Sequence, residues 1–518
     1  MQITSPLFNQ YASMGGRKLN YGVLISFDKT YDDEITFFTL DQSTLNGTDI
    51  LAPTGDNPLQ AWDFYEYVDY TDRFISFTID MELQFPYSVM STTADFILAN
   101  YDDYFTPRSL SPIASFILPK RPVRLLSGFK NINLPQFVGL TQGMPEIDDD
   151  AKTAEFTAFD FLTQIFDMPI RDTIAMANVR TDQVLANIFT QFGLSPTQYD
   201  LGTGRNIIPF LFFEKSQQTA GDVIRSLMQA EMGWLWLGED GIIRFKPRID
   251  QSYSPIYIFD DTNIVSAKVV DKDDIINKVI INTDVRAVQE FQYVASKDVS
   301  DTRLNVVPAS GTYLFTVELQ DPCLEIEQPV IGENSGVSWF TAALPDGTNV
   351  PANVSITAVE LKTNSYDITF NNTNAFDVNI NQLWLYGRPG KKISVEPTVY
   401  ENENSESIAK YEVKSLEISN NFIQSIDQAR SLAISVLNEY SEYADIIELE
   451  VKGNPALQLS DVVMVDYENY DGDYRIIGIK NTIADAKFTQ ILRLRHYVPL
   501  QWFQLNISQL NGANVLAP

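Results

Sequence analysis

The sequence predicts a mainly β fold with a small α+β part: two barrel-like β blocks, an α+β domain and an inserted β-sandwich. Three observations predict it. From 75 to 85 the odd positions Ile75, Phe77, Ile79, Met81, Leu83 and Phe85 are apolar, while Ser76, Thr78, Asp80, Glu82 and Gln84 fill the even ones. That alternation is a long strand with one dry and one wet face, of a length that suits a barrel or a large twisted sheet. Residues 300–400 are rich in Asn, Thr, Val and Gly, with turns roughly every ten residues, the punctuation of a β-sandwich. Between these regions, residues 171–250 read helix, strand, helix, hairpin, the order of a small α+β domain.

Composition sets outer limits. A chain of 518 residues is too long for one core, so about three or four domains are expected. A hydrophobic content of 44% supports folded domains. No apolar run reaches the ~18 residues of a membrane span, so no stable membrane insertion is expected. The start, Met1 to Pro6, has neither a basic region nor an apolar core, so no secretory signal is expected. Cys323 is the only cysteine, which excludes an intrachain disulfide and points to synthesis in a reducing cytosol. The 68 acidic residues against 37 basic ones give a net charge of -31. Such a surface disfavours tight nucleic-acid binding. It serves solubility, or lines a channel along which DNA slides without sticking.

The elements follow in order. Residues 1–60 form an N-terminal arm with strands at 21–27 and 34–40. Residues 61–170 form the first barrel block: the 75–85 strand, 94–99, a polar turn over 100–107, a strand after Leu118, Phe137-Val138-Gly139 and 154–161. In 171–250, Thr181 can cap a helix whose Val184, Leu185, Ile188, Phe189 and Phe192 share a face, and Gly193 ends it. Thr219 starts a second helix, and Gly238-Glu239-Asp240-Gly241 turns a hairpin. Residues 262–296 and 445–497 form the second barrel block, with the 300–400 sandwich inserted and a strand and helix over 401–444 linking back. Residues 498–518 remain as a C-terminal strap.

Residues 405–496 carry the most specific pattern. Ser425 and Gln428 make a capping box. Ala429, Leu432, Ala433, Val436, Leu437 and Tyr440 then form one apolar stripe on a helix of about four turns. Ile447, Leu449 and Val451 alternate with Glu448 and Glu450, Gly453-Asn454-Pro455 turns the chain, and Asp471-Gly472 is a hairpin signal. Ile408-Ala409-Lys410-Tyr411, the helix from Asp427, the Gly453-Asn454-Pro455 turn with its strands, Phe488-Thr489-Gln490 and Leu492-Arg493-Leu494-Arg495 resemble, in order and spacing, the C-terminal part of tail hub proteins of long-tailed bacteriophages. The Asn100-Tyr101-Asp102-Asp103 turn, Arg121-Pro122-Val123-Arg124 and Phe137-Val138-Gly139 resemble the first barrel of the same proteins.

The resemblance implies two tube-like β-barrels per chain and a homotrimeric ring at the distal end of the tail tube, six barrels matching a sixfold tube. It implies a structural virion protein that organises the tail tip and gates the DNA channel, with no catalysis and no cofactor or metal. The implied partners are further copies of itself, the distal tail or tail tube protein ring, the tape-measure protein and tail fibre or spike proteins, with DNA only in transit. The implied location is the phage tail tip, after synthesis in the host bacterial cytoplasm. Some hub relatives carry a lytic domain beyond the second barrel; this chain stops soon after His496, so none is expected. The rival reading is a receptor- or carbohydrate-binding tail protein that uses the 300–400 region as its binding module.

One internal repeat stands apart. Residues 38–53 match 503–518 at nine of sixteen positions. The shared residues include Phe38 and Phe503, Leu40 and Leu505, Leu45 and Leu510, Asn46-Gly47 and Asn511-Gly512, and Leu516. Both copies set Leu-Asn-Gly between short apolar pieces. The functional expectation is a docking strap that adds strands to a neighbouring chain; the plainer one is a copied motif completing a sheet locally.

Catalytic signals are weak. His496 is the only histidine and nothing pairs it with Cys323, so both are expected to be incidental. A Cys/His zinc site is excluded by count. Asp148-Asp149-Asp150 and Asp271, Asp273 and Asp274 lack the ligand spacing of a calcium loop and read as solvated turns. The run from Trp62 to Tyr70 is dense in aromatic rings, which are expected to be buried at a subunit boundary.

Overall fold

The computed structural model describes residues 1–2, 4–13, 18–28, 65–84, 86–248, 255–270, 275–298, 306–344, 348, 353–393, 398–443 and 446–497, and strands dominate among them. The alternating segment forms the strand Phe74–Glu82, with Phe77, Ile79 and Met81 buried on its dry side. A bulge between Phe74 and Ser76 turns Ile75 out of that row, which strict alternation assigned to the core. The strand pairs antiparallel with Thr93–Ala99 on one side and with Gly472–Ala484 on the other.

That second pairing joins segments about four hundred residues apart in sequence and makes one 14-stranded sheet. Its path runs from Ile264–Val270 through Ile446–Lys452, Lys487–His496 and Gly472–Ala484 to Phe74–Glu82. It continues through Thr93–Ala99, Thr153–Phe159, Ile132–Thr141, Pro122–Phe129 and Leu19–Ile25 to Val68–Asp69. The mainly β class is therefore observed. The two blocks share this sheet and one apolar core, in which Phe77, Phe96 and Phe156 meet Leu449, Ile476 and Leu492. Among the described residues the sheet does not close into a barrel.

A closed circuit of buried amides fastens the blocks. The Asn454 N–H donates to Gln490 Oε1 (2.9 Å), Gln490 Nε2 to Asn481 Oδ1 (2.9 Å), Asn481 Nδ2 to Gln136 Oε1 (3.1 Å), and Gln136 Nε2 to the Pro455 carbonyl (2.8 Å). All four amide side chains are buried. Gln136 lies on Ile132–Thr141 and Asn481 on Gly472–Ala484, strands separated by three others in the sheet order. The sheet must curl for them to meet. The turn that begins and ends the circuit needs its glycine, because a Cβ on Gly453 would lie 2.4 Å from the Phe488 ring.

The α+β region packs the predicted helix faces, with Val184, Leu185, Ile188, Phe189, Ile224 and Leu227 in one core. Thr219 caps Ala220–Glu231 as expected, accepting from the Asp222 N–H at 3.1 Å. Gly193, at φ 77°, takes the left-handed position that ends Thr181–Gln191. Thr181 is the first helical residue rather than the cap. Its hydroxyl donates to the buried Glu231 at 2.9 Å, and Arg180 takes the cap position. Trp234–Leu237 is buried on both faces: Trp234 and Trp236 enter the core of the large sheet, while Leu235 and Leu237 enter that of the α+β region.

The 262–296 segment divides. Ile264–Val270 edges the large sheet, whereas Lys278–Thr283 pairs with Thr398–Glu403 and Ser415–Asn420 in a separate three-stranded sheet. Helix Ile426–Tyr440 covers the latter with the predicted stripe Ala429, Leu432, Ala433, Val436, Leu437 and Tyr440, all buried. Ser425 caps it through the Asp427 N–H, but Gln428 donates to the Ile207 carbonyl instead of closing a box. Between 286 and 393 a seven-stranded and a three-stranded sheet enclose Phe315, Phe340, Phe370, Leu383 and Leu385.

Replacing Gln490 with Leu breaks the amide circuit and leaves the Asn454 N–H and Asn481 Oδ1 without that partner. An orphaned buried group costs about 1–3 kcal/mol. Urea unfolding of the Gln490→Leu chain should show a midpoint lowered accordingly; an unchanged midpoint means the circuit does not hold the blocks.

Candidate assembly surface

The even residues of Phe74–Glu82 face away from the core, and the neighbouring strands extend that wet face across both blocks. Lys268 bridges to Glu448 at 2.6 Å, Glu448 meets Arg493 at 3.7 Å, and Arg493 bridges to Glu82. The last contact passes over Gly478, which stands opposite both Glu82 and Arg493 in the sheet register. Beside this row, Lys480 lies 3.8 Å from Asp80. In the next, the Thr78 and Thr482 hydroxyls approach to 3.4 Å and Thr157 donates to Asp95 at 2.8 Å. Glu155 and Glu450 join the face, alternating with buried Ala154, Phe156, Leu449 and Val451.

Carboxylates outnumber cations on this face. Asp80, Glu82, Asp95, Glu146, Asp148, Glu155, Glu448 and Glu450 stand against Lys268, Lys452, Lys480, Lys487 and Arg493 among the described residues. The face carries a net acidic field. Both ends of the sheet present exposed valines, Val265 and Val269 at one edge and Val68 at the other. Among the described residues these edge strands are unpaired on their outer side, and such edges invite pairing with another chain.

The structure places the sequence candidates unevenly. Phe38, Leu40, Leu45, Asn46, Gly47, Phe503, Leu505, Leu510, Asn511, Gly512 and Leu516 lie outside the described residues, as do Trp62, Phe64, Asp271, Asp273 and Asp274. Of the aromatic run, Tyr67 lies under the Arg124 guanidinium at 4.4 Å, and Tyr70 is buried among Phe27, Tyr104 and Phe105 of its own chain. Burial raises the Tyr70 pKa, helped by Tyr104 and Asp28. His496 ends its strand edge-on to Tyr474, 5.4 Å between ring centres. Cys323 lies in the separate core of the 286–393 region, where burial pushes its thiol up to about 12, an unreactive state. Asp148 accepts from the Asp150 and Ala151 N–H groups in an exposed turn. Sequence reading missed the wet face as a unit, because its rows combine strands from opposite ends of the chain; the alternation at 75–85 and 447–451 was its only local sign.

No family model matches the chain, and no curated protein does. Solved structures to which it is similar include tail proteins. A 43 kDa prophage tail protein from Shewanella oneidensis aligns with 83% of this chain and 96% of its own, at 11% identity and a TM-score of 0.44. A tail protein from Neisseria meningitidis aligns with 83% and 94%, at 9% identity and a TM-score of 0.44. A prophage tail protein from Listeria monocytogenes aligns with 84% and 93%, at 13% identity and a TM-score of 0.40. Likeness at this level transfers no residue's role to this chain.

Two carboxyl groups sit where the large sheet meets the α+β region. Asp160 accepts from the Thr92 and Leu162 N–H groups, and burial pushes its pKa up to about 7. Glu239, in the hairpin turn, accepts from Gln458 Nε2 at 3.0 Å across the junction, and burial likewise pushes it up to about 7. The unfolded chain loses these protons near the ordinary carboxylate pKa of about 4. Their contribution to stability is therefore full below about pH 4 and is lost as pH rises toward about 7. Glu239→Gln keeps an acceptor for Gln458 and removes the titration. Thermal midpoints measured between about pH 5 and pH 8 should fall less steeply in Glu239→Gln than in the parent chain; equal slopes would exclude Glu239 as a source of the decline.

Proposed function

We propose that the chain is a structural hub protein of a phage tail tip, three copies of which close a ring around a DNA channel. The carrying observation is the continuous wet face that crosses both blocks of one sheet, with eight carboxylates against five cations among its described residues. On this reading the face lines the channel. Phosphates meet a wall that repels them, so DNA passes without stopping. A basic wall would release counterions on binding and hold the duplex. The resemblance over 405–496 supports the same reading, because its separated pieces are in contact. Phe488 packs on Gly453, Gln490 binds Asn454, and Lys410 pairs with Glu442 at 2.9 Å beside the end of the 426–440 helix.

In the ring, the edges at Ile264–Val270 and Val68–Asp69, open among the described residues, offer strands to neighbouring copies, and the two blocks of each chain's sheet give a sixfold repeat. The ring stacks on the tail tube protein, holds the end of the tape-measure protein and carries fibres or spikes as separate chains. The role is architectural and belongs to the virion.

Sedimentation equilibrium should give a mass three times the 58.5 kDa of one chain; a monomer across the micromolar range contradicts the ring. The repeated segments 38–53 and 503–518 serve as docking straps. An apolar side chain contributes about 1.5–3 kcal/mol when fully buried, so Phe503, Leu505, Leu510 and Leu516 suffice to seat one after its ordering cost is met. Deleting 503–518 should leave the thermal midpoint unchanged and weaken attachment to the neighbouring ring. Unfolding on deletion, or unchanged assembly, overturns the strap.

A further inference from the structure

Charge is unevenly distributed along the large sheet. From 104 to 145 the chain has no carboxylate and five cations, Arg108, Lys120, Arg121, Arg124 and Lys130, in a protein of net charge -31. The exposed part of this stretch is the loop that joins Thr93–Ala99 to Pro122–Phe129. Phe105 and Ile117 pin the loop to the large core, and Asn100 Oδ1 accepts from the Phe105 N–H at 2.8 Å. Between these anchors Leu110 is fully exposed, and Phe116 and Leu118 stand out beside them. Arg108 and Lys120 flank the apolar tip. Both are exposed, and neither has an ion-pair partner among the described residues. The loop ends beside one open edge of the sheet: Val123 pairs with Ile25, which pairs with Val68.

The other end of the sheet carries the reverse charge. Its edge strand Ile264–Val270 follows a turn at Asp260 and Asp261, which leads from the short strand Ile258–Phe259. That strand pairs with Val462–Val465. Residues 466–473 come next, with four carboxylates, Asp466, Glu468, Asp471 and Asp473, and no cation. The turn and this segment meet at Tyr467, whose pKa is raised by Glu468 first, then by desolvation and Asp261. Asp261, Asp466, Glu468 and Asp471 are exposed, and none has an ion-pair partner among the described residues. Lys452 reaches the turn but donates to the Thr262 carbonyl, at 2.6 Å. Ile256, Ile258, Val265 and Val269 are exposed on the same strands.

Each end thus sets exposed apolar side chains beside charge of one sign that the chain leaves unmet. Such surfaces are where partners dock. A foreign partner would match one end only. A second copy of this chain matches both, because the two ends close the same sheet order and are complementary in charge. We propose that the 104–121 loop of one copy docks on the corner formed by 256–265 and 466–471 of the next, with Leu110 and Phe116 against Ile258 and Val265, and Arg108 and Lys120 facing Asp261 and Glu468. The contact rests on the ring reading above and names the surfaces of its joint. It is heterologous, so copies join head to tail in one direction, and like ends repel.

The test follows the mass of the full chain by sedimentation over a range of concentration and salt. Association should weaken as salt rises from about 0.05 M to about 0.5 M, because the charges of the joint lie at the surface. Reversing the loop with Arg108→Glu and Lys120→Glu should weaken association roughly tenfold or more, since like charges then meet. Reversing the corner with Asp261→Lys and Glu468→Lys should do the same. All four changes in one chain exchange the two signs and should restore the parent's mass, which a misfolded variant could not do. Assembly that survives both reversals overturns the contact and leaves the ring reading standing. So does a chain with all four changes that stays dissociated. A parent chain that is monomeric throughout the micromolar range overturns both.

Discussion

Four buried amides connect parts of the chain that nothing local would bring together. Gln136 belongs to the first block; Asn454, Asn481 and Gln490 belong to the last. An amide in an apolar interior must find partners or lose several kcal/mol to desolvation. Gln136, Asn481 and Gln490 satisfy one another and the Asn454–Pro455 backbone only when the sheet curls enough to bring non-adjacent strands face to face. Hydrophobic burial drives the blocks together without specifying how they meet. The circuit specifies it, because a one-residue slip would strand every member.

That register has a consequence on the other side of the sheet. With Gly472–Ala484 held against Phe74–Glu82, Lys480 falls opposite Asp80, and Gly478 opposite Glu82. The cross-strand rows then run unbroken from Ile264–Val270 to Thr153–Phe159. Such exposed pairs contribute little to stability one by one. Their use is to hold charge at fixed positions. The dry face stabilises the molecule and the wet face presents its field, and one pairing decides both.

Period and punctuation were legible in the sequence. The alternation at 75–85, the stripe on 426–440, the cap at Thr219 and the stop at Gly193 are each encoded within one or two turns of chain. The failures share a cause. Ile75 left its row because of a bulge, Thr181 gave its hydroxyl to Glu231 fifty residues on, and Gln428 turned to Ile207. In each, a distant partner outcompeted the local one. The fusion of both blocks into one sheet was illegible for the same reason: no strand carries a label for a partner about four hundred residues away. The Gly453-Asn454-Pro455 and Phe488-Thr489-Gln490 pieces were visible as pattern, but only the fold explains them, since they close the amide circuit.

The account stands on the direction in which the wet face points. Electron cryo-microscopy of the purified full-length protein would show it directly. The account predicts a threefold ring with Asp80, Asp95 and Glu155 facing the central axis and the 286–393 region outside. A ring with that face turned outward, or a lumen lined mainly by Lys and Arg, would contradict it.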